Sequence, residues 1–102
     1  MKKILHGDVV FNEDFRFNGE VVVHGDFHAS GIVSVNGLRV DGNIYLDSSN
    51  TDNPPYLSAM HVHCAGKIFA HNYIFKVDNL IATGGRSIEN DGPVKEHAVL
   101  AD

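Results

Sequence analysis

The chain predicts an all-β fold, a single-stranded β-helix or β-solenoid, on three observations. Glycines recur at short, near-regular intervals: Gly19, Gly25, Gly31 and Gly37 are six residues apart, and Gly42 follows after five. The tripeptide His6-Gly7-Asp8 returns as His24-Gly25-Asp26, 18 residues later. Between these points apolar and polar residues alternate. Val21, Val23, Phe27, Ala29, Val33, Val35, Leu38, Val40, Ile44 and Leu46 fall on one side, with Glu20, His24, Asp26, His28, Ser30 and Ser34 on the other. Alternation marks strands with one buried face, and a fixed repeat marks stacked coils.

The coils follow in order along the chain. Adding 18 carries Leu5 to Val23, Val9 to Phe27, Phe11 to Ala29, Phe15 to Val33 and Phe17 to Val35, so every inward position lands on another. The next coil is one residue shorter. Adding 17 carries Val23 to Val40, Phe27 to Ile44 and Ala29 to Leu46, with the slip expected at the corner between Gly37 and Gly42. The polar run from Asp47 to Asn53 ends in Pro54-Pro55, which offer no backbone donor, and reads as an inserted surface loop. Beyond it, adding 24 carries Leu38 to Val62, Val40 to Cys64, Gly42 to Gly66 and Ile44 to Ile68. A further 18 carries Val62 to Leu80 and Gly66 to Gly84.

The expected architecture is one domain over residues 1–102, with four to five coils of 17–18 residues spanning 5–84. It carries a loop insertion near 47–55, and residues 85–102 form a partial coil or a C-terminal cap. A β-sandwich, the rival, has turn signals every 8 to 12 residues, and turns here come every five or six.

Composition narrows the function. The net charge is -5, with eight Lys plus Arg against thirteen Asp plus Glu and no basic cluster, which argues against a nucleic-acid partner. No apolar run is long enough for a membrane span, and the segment from Met1 to Gly7 lacks the apolar stretch of a signal peptide, so a cytoplasmic location is expected. The single cysteine, Cys64, excludes an internal disulfide framework, and its place between Val40 and Ala82 in the repeat reads as a small core residue.

Seven histidines are the one compositional excess. His6 and His24 lie outward at the same corner of successive coils. In His61-Val62-His63-Cys64, two imidazoles two residues apart on a strand point the same way, so His61 and His63, with His71 if the corner after Ala70 folds back, are the candidate metal ligands. No Ser-His-Asp spacing, phosphate loop or His-Glu-x-x-His helix is present, and Gly84-Gly85-Arg86-Ser87 lacks the lysine of a phosphate-binding loop. No enzyme activity and no cofactor are expected. Asp8 and Asp26, stacked after His-Gly, read as solvated acids.

What remains is surface. Val10, Val22, Ile32, Tyr45, Phe69 and Phe75 are expected to point outward, and the stretch from Gly92 to Asp102 is apolar at Val94, Ala98, Val99 and Leu100. Val10, Val22, Val94, Val99 and Leu100 are therefore the candidate residues for homo-oligomer contacts through solenoid edges or faces.

The stretch from Val33 to Ile44, Val-Ser-Val-Asn-Gly-Leu-Arg-Val-Asp-Gly-Asn-Ile, resembles the repeats of bactofilins, bacterial polymer-forming cytoskeletal proteins with a right-handed β-helix core. The likeness covers roughly residues 5–84. It implies a right-handed coil and a self-assembling structural role. The left-handed hexapeptide-repeat family, which includes acyltransferases and a zinc carbonic anhydrase, places the aliphatic residue directly before the glycine. Here one residue intervenes, as in Val23-His24-Gly25. The expected function is a non-catalytic, self-associating scaffold. A metal- or small-ligand-binding module using the surface histidines is the alternative, and a hexapeptide-repeat enzyme the last choice.

Overall fold

A computed structural model describes residues 1–50, 52–89 and 96–100, with side chains described through Gly85. The strands are β1 (Lys2–His6), β2 (Val9–Phe11), β3 (Phe15–His24), β4 (Phe27–Ala29), β5 (Val33–Val40) and β6 (Ile44–Asp47). After the loop come β7 (Tyr56–Cys64), β8 (Ile68–His71), β9 (Ile74–Ala82), β10 (Arg86–Glu89) and β11 (Glu96–Leu100). Odd strands form a six-stranded parallel sheet in the order β1-β3-β5-β7-β9-β11, and even strands a five-stranded one, β2-β4-β6-β8-β10. One odd and one even strand make a coil, and each coil pairs with the next. This is the β-solenoid that the repeat predicts. No helix of the described residues is long and apolar enough to cross a membrane.

The offsets read from the sequence are the registers of the sheets. Leu5 pairs with Val23, Phe27 with Ile44, Leu38 with Val62, Ile44 with Ile68 and Cys64 with Ala82. Inward residues come in pairs: Val33 and Val35, Leu38 and Val40, Ile44 and Leu46, all buried. Within β5 the inward step is three residues between Val35 and Leu38 instead of two. There the strand rounds a bend at Asn36-Gly37 without leaving the ladder. Burial of these columns supplies the stability, about 1.5–3 kcal/mol per large apolar side chain. In the first coil Leu5, Val9, Phe11, Phe15 and Phe17 are only partly buried. Phe11 stacks on Phe15 at 4.3 Å between centroids, and Lys3, which pairs with Val21 in an inward column, holds its ammonium 5.8 Å from the Phe17 ring centre.

Two readings of strand phase need correction. The one-residue slip lies inside β3 and not at the Gly37 to Gly42 corner. Phe17 pairs with Val35 but Glu20 with Gly37, so the extra residue is absorbed at Asn18-Gly19. Such a bulge leaves one residue of the ladder unpaired and bends the strand locally. Phe75 points inward and is fully buried, since it pairs with Leu57 in the column that begins at Phe15 and Val33. Apart from these two, residues 86–89 and 96–100, in the segment read as a partial coil or a cap, extend the two sheets as strands β10 and β11.

The corners carry a second ladder. The Asp8 carboxylate accepts a hydrogen bond from the backbone N–H of Asp26, Asp26 from that of Asn43, and the Asn43 carbonyl from that of Lys67, each at 2.8 Å. Asp8 and Asp26 are thus structural acceptors, which corrects their reading as merely solvated acids. Beside them the backbones of Gly25, Gly42, Gly66 and Gly84 bond coil to coil. The side-chain ladder stops at Lys67, which has no acceptor to offer. Replacing Asn43 with alanine strands the Lys67 N–H and removes the donor to the Tyr45 hydroxyl, 2.9 Å away. The expected loss is about 1–3 kcal/mol, read as a lower denaturation midpoint at unchanged slope, with Asn43→Asp less affected because it keeps the acceptor.

The inserted loop, residues 48–55, leaves a gap that Tyr73 fills. Three corners follow β4, β6 and β8, and the middle one carries the loop. Tyr73, in the corner after β8, is fully buried and its hydroxyl donates to the carbonyl of Gly31, in the corner after β4. Asn72 beside it has a left-handed φ of 58°, which asparagine tolerates, and its amide donates to the Ser48 carbonyl at 2.9 Å.

Candidate functional site

The five-stranded sheet shows one outward column that is aromatic. Register places Val10 of β2 beside His28 of β4, His28 beside Tyr45 of β6, and Tyr45 beside Phe69 of β8. The offsets that align the core align this stripe as well. The His28 and Tyr45 rings stack at 4.5 Å and 17°, and the Tyr45 and Phe69 rings at 5.1 Å and 1°. Adjacent rungs of a parallel sheet impose nearly this spacing, so the stack follows from placing rings in one column. Val10 is 62% exposed and Phe69 36%.

Polar columns border the stripe. On one side, two residues before each stripe position, stand Asp8, Asp26, Asn43 and Lys67. The Lys67 ammonium leans in, 5.2 Å from the Phe69 ring centre, within cation–π range. On the other side, two residues after, stand Asn12, Ser30, Asp47 and His71. The Asp47 carboxylate lies 3.1 Å from His71 Nδ1. A shallow groove runs here between His28, Tyr45 and Phe69 and the Asp47–His71 pair.

The structure separates the candidate metal ligands. His61 and His63 do face outward together from β7, while Val62 and Cys64 face the core. The His61 ring crosses over Gly37 to reach Glu20 of β3, with Nε2 3.4 Å from the carboxylate, a crossing that works because Gly37 has no side chain. His71 lies on β8, in the other sheet. Among the described residues no group of three or more His, Cys, Asp or Glu is placed to hold a metal ion. At the corner, His6 stacks on His24 at 5.3 Å and His24 is paired with Asp41. These exposed pairs link neighbouring coils and contribute about 0–1 kcal/mol each.

Cys64 is fully buried and its thiol donates to the Gly42 carbonyl at 3.3 Å. Burial pushes its pKa up, which is the opposite of an activated nucleophile. Tyr73 is likewise held well above the ordinary phenol range, first by burial and then by the charges of Asp14 and Asp47.

Of the proposed contact residues, Val10 is exposed at the end of the stripe. Val22 is only 6% exposed, because Ile4 and Arg39 flank it in the register, so it is corrected from contact residue to covered surface. Val94 lies outside the described residues, and Val99 and Leu100 lie on β11, where only the backbone is described. Tyr45 and Phe69 were legible as outward residues. Their union with His28 and Lys67 was not drawn from the sequence, although the offsets of 17 and 24 were signal enough. Compared with known proteins, the chain matches no family model, no curated protein and no solved structure.

Proposed function

We propose that this protein is a non-catalytic, self-associating structural scaffold of the β-solenoid type, acting in the cytoplasm. The observation that carries the reading is the stripe Val10, His28, Tyr45 and Phe69. It runs along the solenoid on one face, apolar and aromatic in the middle and polar at both borders, the anatomy of a protein contact surface. The use of the polar side chains supports it. Asp8, Asp26, Asn43 and Asp14 hold backbone N–H groups of the next coil, and His24, His61 and His71 pair with carboxylates of other coils. They hold the stack together and do not converge on a reaction centre. The likeness to bactofilin repeats points the same way.

The test is light scattering coupled to size-exclusion chromatography over a concentration series, with and without chelator. A dimer or larger species is expected at about 100 μM, the range for a small contact face, and it survives chelation. Val10→Lys, an exposed edge substitution with little effect on folding, is expected to shift the species to monomer. A monomer at every concentration overturns the proposal, and a chelator-sensitive oligomer moves the contact to the histidines.

A further inference from the structure

We propose that the aromatic stripe is self-complementary, and that two copies close on it face to face with their solenoid axes antiparallel. The inference rests on the self-association reading above and adds which residues meet. Its ground is the order of charges along the border columns. In the column before the stripe, Asp8 and Asp26 stand at the first two rungs, Asn43 at the third and Lys67 at the fourth. Over these four rungs acid is at one end and the cation at the other, and the fifth rung, β10, lies beyond the contact.

A two-fold axis along the strand direction, passing between the rungs of His28 and Tyr45, inverts the rung order and keeps each column opposite itself. It sets Asp8 against Lys67 of the second copy and Asp26 against Asn43. In the stripe, Val10 meets Phe69 and His28 meets Tyr45. In the third column Asn12 meets His71 and Ser30 meets Asp47. Each polar row then places an acceptor before a donor, His28 lies ring to ring with Tyr45, and Val10 covers the Phe69 ring. The parallel alternative, with the axis along the solenoid, sets Lys67 against His71 and leaves its charge without a carboxylate. Complementary potentials choose between orientations even where they add little affinity.

An interface built on a two-fold axis uses the same patch on both copies and is complete at two. This face therefore makes closed pairs and does not propagate into a filament. Its area is modest: four rungs at roughly 4.8 Å span about 14 Å from Val10 to Phe69, so the pair belongs to the weak, reversible class.

Cysteine cross-linking tests the orientation. Val10→Cys and Phe69→Cys chains are treated with a bis-maleimide whose spacer is about 10 Å, the distance between packed sheets. The wild type, whose Cys64 is buried, is the control. The expected result is a covalent dimer from the mixture of the two variants and little from either alone. Lys67→Glu is expected to weaken pairing about tenfold and to make it less sensitive to salt. Efficient cross-linking of Val10→Cys with itself overturns the antiparallel order, as does an oligomer that no combination cross-links. A chain that stays monomeric by light scattering would instead remove the self-association reading on which this rests.

Discussion

Replacing Tyr73 with alanine is expected to cost about 4 kcal/mol, as for any large buried ring, and to lower the denaturation midpoint accordingly. The ring is fully buried in the corner after β8, and in a close-packed interior its removal leaves a cavity. Tyr73→Phe isolates the hydroxyl. It keeps the ring and strands the Gly31 carbonyl, for an expected loss of about 1–3 kcal/mol. The same pair of variants carries a pH signature. The Tyr73 pKa is raised in the folded chain, so the neutral phenol is the folded form and only the unfolded chain ionises as pH passes its ordinary value of 10.0. Stability from this group is complete below that pH and is lost above it. Cys64, also raised, adds a loss that begins near its ordinary 9.0. Denaturant titrations are expected to show a midpoint that falls steeply above about pH 9–10 in the wild type and less steeply in Tyr73→Phe. An identical alkaline limb in both proteins would remove Tyr73 from the account.

The second large effect is expected at the corner glycines. A Cβ on Gly66 would sit 2.2 Å from the Asn43 side-chain oxygen and 2.6 Å from the Gly42 carbonyl oxygen. Neither neighbour can give way easily, since the first holds the Lys67 N–H and the second is backbone accepting from Gly66 itself. Gly66→Ala is therefore expected to cost about 3 kcal/mol, at the upper end for overpacking, by prying two coils apart. Gly7 is the contrast. It has open space around it but a φ of 87°, so Gly7→Ala tests conformation without crowding, at about 1–2 kcal/mol. Urea denaturation of the two variants separates the causes. Equal losses would mean that crowding at Gly66 is relieved by a shift of the coil.

The legibility of the chain divides along a physical line. Inward columns were readable because a parallel ladder forces equal offsets on every residue of a coil. The registers of 18, 17 and 24 are therefore facts about backbone pairing as much as about hydrophobicity. The position of the slip was not readable. Asn18-Gly19 and the Gly37 to Gly42 corner both contain the glycine that a deformed backbone favours, and only pairing distinguishes them. Counting by twos back from Leu80 turns Phe75 outward, whereas the three-residue step between inward Val77 and Leu80 turns it inward beside Leu57. The Asx ladder left a trace, since Asp8, Asp26 and Asn43 each follow a glycine. What such a side chain bonds to depends on the next coil, which a pattern within one coil does not show. Tyr73 was hidden for a different reason. It stands outside the inward columns, in a corner, and its hydroxyl finds a partner two coils away, at Gly31. The stripe sits between these cases, visible as separate outward rings and assembled only by register.

Two bonds described above join residues that are not in adjacent coils: Tyr73 to Gly31, past the displaced loop, and His61 to Glu20, past Gly37. A stack whose repeats touch only their immediate neighbours behaves as a one-dimensional chain and can unzip rung by rung from its ends. Second-neighbour ties change that statistics. Opening the coil between them also breaks these ties, the buried Tyr73 bond more than the exposed His61 pair, so opening costs more in the middle than at the ends. The centre of this small solenoid should therefore melt as one cooperative block, with fraying confined to its outermost strands.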